Sequence, residues 1–207
     1  MDNNLTTEDA PDKLDAIKHS LASLIRHSAI SRLEKIIDCT AIEVSELGPD
    51  FVPGKILANH LALIQITSSL VRVTFKCHFN TDAVKKLGFR AFGSDKTKAV
   101  SEKEVLDFIK EYCNLVAGNV VLLFEGAAID MGIGLPIGTR GFYEVFSNYE
   151  EMAATSIIHA DFWRMRANGA EIFCSALIEI IDEIPLECMI GYQIAEESNT
   201  EGEIEFL

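Results

Sequence analysis

The sequence predicts an α+β fold, an antiparallel sheet packed with two long helices. Three observations predict it. Two long stretches carry apolar residues at helical spacing, one near the start of the chain and one at its middle. Two other stretches read as hairpins, one rich in β-branched residues and one turned by Ala-Asn-Gly. Helices and strands come in separate runs rather than alternating as βαβ units, which points away from a parallel sheet.

The first 12 residues read as a disordered lead-in, polar and acidic and unlike a signal peptide. The domain proper is expected over 13–182. From Asp12 to Ile37, apolar residues at Leu14, Ile17, Leu21, Leu24, Ile25, Ile30, Leu33, Ile36 and Ile37 predict a helix with a kink or break near His27 to Ala29. ELGPDFVPGK, with two prolines and two glycines, is a loop. LALIQITSSLVRVTFKCHF, from Leu61 to Phe79, predicts two antiparallel strands joined by a tight serine turn. In the second of them Val71, Val73, Phe75, Cys77 and Phe79 alternate with Arg72, Thr74, Lys76 and His78. NTDAVKKLGFRAFG gives a short helix, and SDKTKAV an exposed loop.

Ser101 followed by Glu104 is a capping box, so a second long helix should start there and run to about Phe124. The glycine-rich EGAAIDMGIGLPIGTRGF reads as strand, bend and strand edge. Strands are expected at Phe162–Ala167 and Glu171–Ile181, turned by Ala-Asn-Gly. Residues 183–207 form an acidic segment; from Asp182 onward the chain has eight carboxylates and no Lys or Arg. The element order suggests a duplicated helix-plus-hairpin unit without a residue-level repeat.

Bulk composition limits the function. A net charge of −14 argues against nucleic acid and against anionic membrane surfaces, and no apolar run is long enough to span a bilayer. Cys39, Cys77, Cys113, Cys174 and Cys188 are odd in number and never CxxC, as expected of reduced, mostly buried thiols in a cytoplasmic protein. Phosphate-loop, dinucleotide, serine-hydrolase and zinc-protease motifs are absent, and no His/Cys cluster has metal-ligand spacing. The chain is therefore expected to carry no cofactor of its own.

The second long helix holds the one unusual pattern. At 100° per residue, with Glu111 at zero, Glu104 lies at about +20°, Asp107 at about −40°, Asn114 at about −60° and Gly118 at about −20°. The plain explanation is the wet face of an amphipathic helix. Glu-x-x-Asn also recurs by chance, and Glu196 and Asn199 repeat it in the acidic segment. Gly118 and Asn114 weaken a helix, yet both lie on the stripe that holds Glu111. A carboxylate can pair with a partner's Lys, and an amide can orient a water, which suits phosphoryl hydrolysis.

EYCNLVAGN followed by GAAIDMGIGLPIG resembles the CheX/CheC/FliY family of response-regulator phosphatases, with Glu111, Asn114, Ala117-Gly118-Asn119 and Pro136 at the motif positions. The resemblance covers about residues 14 to 182. It implies a CheC/CheX-like fold and a phosphatase acting on a phosphorylated CheY-type receiver domain. It further implies that Glu111 anchors the receiver, that Asn114 positions the attacking water, and that the receiver supplies the Mg²⁺. Glu104, Asp107 and Gly118 become partner-facing residues. Some members carry the motif on both long helices; here the first helix has Glu34 but Ile37 in the Asn place, which favours a CheX-like homodimer. The alternative is a non-catalytic binding module for a receiver or another signalling protein.

Overall fold

A computed structural model describes residues 13–37, 41–47, 58–87, 100–140 and 158–192. The predicted lead-in, all of the first predicted loop but Glu46 and Leu47, all of the second but Val100, Cys39 and the Glu196/Asn199 pair lie outside these residues. Glu46, expected in the loop, closes the first strand, Glu43–Glu46. In chain order the elements are helix α1 (Lys13–Ile37), strands β1 (Glu43–Glu46), β2 (His60–Thr67) and β3 (Val71–Phe79), and helices α2 (Thr81–Leu87) and α3 (Glu102–Gly126). Strands β4 (Gly132–Ile133), β5 (Ile137–Arg140), β6 (Ile158–Ala167) and β7 (Ala170–Ile180) follow, then a 3-10 helix at Ile184–Met189.

The strands form one sheet in the order β1-β6-β7-β3-β2, with β4 and β5 both pairing to the far edge of β2. Every pairing is antiparallel. The expected α+β class and both hairpins are present. Ser68 makes the first turn by offering its Oγ to the backbone N–H of Leu70 and Val71. Asn168 and Gly169 make the second with φ of 51° and 71°, the doubly left-handed turn whose twist matches paired strands.

One face of the sheet carries Val73, Phe75, Cys77, Trp163, Met165, Cys174 and Ile178, all buried in the core beneath α1 and α3. The alternation in β3 predicts that its second face would be wet. Only Arg72 is exposed there; Thr74, Lys76 and His78 are buried. As an inner strand between β2 and β7, β3 has Leu177 and Gln65 beside Thr74, and Leu63 and Ser175 beside Lys76.

Helix α1 is unbroken over its 25 residues, contrary to the break expected near His27 to Ala29. The Ser28 Oγ, buried here, is satisfied within the helix by donating to the Leu24 carbonyl at 2.9 Å, so it does not compete for the backbone N–H groups that continue the helix. Ser28 and Ala29 are small because α3 crosses there. Arg26, on the same helix, reaches Asp161 at 2.7 Å and also Glu46, tying α1 to β6 and β1.

The acidic segment expected from residue 183 does not leave the fold at that point. Leu186 and Met189 of the 3-10 helix are buried, and Glu187 pairs with Lys13 at 3.0 Å. Tyr192 then comes so close to Gly126 that a Cβ there would meet its hydroxyl at 2.5 Å. Two buried apolar side chains in a carboxylate-rich run suffice to hold it against α1. Strand β1, only four residues long, has no clear periodic signature in the sequence.

Candidate functional site

Helix α3 begins as expected. The Ser101 Oγ accepts from the Glu104 N–H at 3.2 Å, and the Glu104 carboxylate accepts from the Ser101 N–H at 2.8 Å and its hydroxyl at 2.7 Å. This commits the Glu104 carboxylate to the cap of the helix. Glu102 anchors the same end to the sheet through His60 at 2.8 Å and Arg140 at 2.6 Å. The His60 hydrogen bond, then the Arg140 one, lowers the Glu102 carboxyl below its ordinary range. At Gly138 of β5 the helix passes so near that an added Cβ would meet Leu106 at 2.5 Å.

Two further contacts fix the rotation of α3 against α1. Tyr112 donates from its buried hydroxyl to the Ala29 carbonyl at 2.9 Å. Buried Asn119 donates to Ser28 Oγ at 3.1 Å and accepts from Arg32 at 2.6 Å. The tyrosine is next to Glu111, and the asparagine lies five residues beyond Asn114. Together they hold the motif along its length, both on one flank of the helix about a quarter turn from Glu111.

Glu111 and Asn114 are both exposed, and no described residue engages either side chain. Asp107 is exposed as well, but pairs with Lys110 at 2.7 Å. Gly118 faces open space: a Cβ built on it meets nothing within 4 Å. The structure thus brings Glu111, Asn114 and Gly118 together as one uncommitted face. It leaves Asp107 in a local ion pair and Glu104 in the cap.

By sequence, Asn119 groups with the mostly apolar remainder of the helix. The signal for its role lies on the other helix, where Ser28 and Arg32 are four apart and so share a face. Asn119 stands at a motif position, whereas Leu122 is a residue that the motif does not include. It is 60% exposed, about 20° from Glu111 on the helical wheel.

Nucleophilic chemistry finds no support nearby. The Cys113 thiol is pushed well up by burial, and that of Cys77 by its hydrogen bond with Cys174 and by burial. Buried, protonated thiols are inert. Among the described residues no group of three or more His, Cys, Asp or Glu could hold a metal, and no helix is long and apolar enough to cross a membrane.

No protein-family model matches the chain, and no curated protein matches it. Solved structures do. A CheC-like superfamily protein from Shewanella sp. PV-4 superposes with a TM-score of 0.57 at 12% identity, over 77% of this chain and 97% of that one. The chemotaxis protein CheX from Vibrio vulnificus gives 0.57 at 13% identity, over 77% and 99%. A CheX–CheY–BeF3–Mg²⁺ complex from Borrelia burgdorferi gives 0.56 at 14% identity, over 76% and 96%. Likeness at such low identity is a likeness of architecture. This chain has the fold of the CheX and CheC-like proteins.

Proposed function

We propose that this protein is a phosphatase for the aspartyl phosphate of a CheY-type receiver domain. The observation that carries the reading is the exposed, uncommitted carboxylate and amide of Glu111 and Asn114, set one turn apart on a helix held by two buried polar ties. A CheX solved with CheY, BeF3 and Mg²⁺ supports a receiver as the partner.

In this reading Glu111 pairs with a Lys beside the receiver's phosphorylation site, and Asn114 holds a water in line with the phosphorus. The water oxygen bonds to phosphorus as the bond to the aspartyl oxygen breaks. The receiver recovers a carboxylate; one water proton stays on the phosphate product and the other passes to solvent. Magnesium belongs to the receiver. Catalysis then rests on positioning, so a helix without a nucleophile is adequate. A cytoplasmic location and a homodimer belong to the same reading.

The test is the lifetime of acetyl-phosphate-labelled receivers from the same organism. A wild-type protein that shortens one of them should lose the effect in Glu111→Ala and Asn114→Ala variants that stay folded. Unchanged rates in both would strip Glu111 and Asn114 of their anchoring and water-positioning roles. Binding that leaves the phosphate lifetime untouched would favour the non-catalytic module. Light scattering on the same preparation checks the dimer.

A further inference from the structure

We infer that Leu122 is the apolar anchor by which the receiver domain docks on α3, and that it sets affinity for the receiver without taking part in the chemistry. The inference rests on the phosphatase reading above and adds a residue outside its motif.

Leu122 differs from the rest of its helix. The other large apolar residues of α3 are buried or half-buried, whereas Leu122 is 60% exposed. Its azimuth falls within about 20° of Glu111, so it lies on the motif stripe rather than at its margin. Along the axis it is two turns beyond Asn114, about 12 Å. A partner covering a standard footprint of roughly 800 Å² reaches that far from the reacting centre. Gly118 lies between the two and raises no side chain, so a surface seated on Asn114 can continue to Leu122 without a step. Exposed Glu125 stands about one turn beyond the leucine, and exposed Asn114 and Glu111 stand about two and three turns before it. An apolar centre with a charged rim is the anatomy of a specific docking surface.

The occupant is the receiver because the apolar residue is continuous with the face that must meet the phosphoryl group. Leu122→Ala should fold and melt as the wild type does, since the position is exposed and Ala is the better helix former. Dephosphorylation of an acetyl-phosphate-labelled CheY-type receiver by Leu122→Ala should show KM raised about tenfold with kcat unchanged. Leu122→Asp should raise KM further, and Leu122→Met should restore it. Unchanged KM in the Ala and Asp variants of an active wild type would overturn the inference and leave the phosphatase reading standing. A changed oligomeric mass with unchanged KM would do the same, by assigning Leu122 to a contact between copies. A wild type inert toward every receiver would overturn both together.

Discussion

Helices α1 and α3 have equal length, 25 residues, and face each other across the same core. They differ in what they do with the Glu and Asn places of the motif. On α3 positions 111 and 114 point to solvent, whereas the matching pair on α1 is half-buried Glu34 and buried Ile37. The missing second motif is therefore not a single altered letter. Ile37 sits in the core at 2% exposure, so an Asn there would have no water to hold. What distinguishes a working helix from a structural one is its rotation about its own axis. In this pair buried polar contacts at Tyr112 and Asn119 help to set that rotation.

Three substitutions put that contrast under strain. Ile37→Asn restores the motif spacing on α1, and it should cost about 4 kcal/mol through a lost core side chain and a buried amide. It should confer no second activity; a gain in phosphatase rate, or an unchanged melting temperature, would show that α1 is free to turn outward. Asn119→Leu keeps the helix but removes the bonds to Ser28 and Arg32, at about 2 kcal/mol in denaturant unfolding. If rotation matters, kcat should fall in this variant even at temperatures where it is fully folded. Equal kcat would mean that packing alone sets the angle. Gly118→Ala should instead stabilise by about 1 kcal/mol, because the helix gains a better former in open space. Its KM for the receiver should nevertheless rise if the bare backbone is needed for approach. A stabilised variant with unaltered KM would reduce Gly118 to an accident of the helix.

Local chemistry is the part of this architecture that can be read from letters. Ser101 and Glu104 declare the start of α3, Asn168 and Gly169 the last hairpin, and the alternation at Val71–Phe79 the central strand. These depend on neighbours within a few residues, and sequence states such neighbours directly. Contacts between distant residues are not legible. Asn119 is a weak helix former inside an apolar stretch until Ser28 and Arg32, 91 and 87 residues away, are placed against it. Lys76 and His78 look like solvent-facing neighbours of Cys77 until β2 and β7 enclose them. At the site the stripe itself is readable from periodicity. Which members are already committed, as Glu104 is to its cap and Asp107 to Lys110, requires coordinates.

The contact between Tyr192 and Gly126 has a practical side. It brings Tyr192 against the carboxyl end of the motif helix. From Gly126 back to Asn114 is about 18 Å along the helix axis. A fluorophore on a cysteine placed at position 192 would therefore sit within energy-transfer reach of a label on anything that covers Asn114, and would report when the face is occupied.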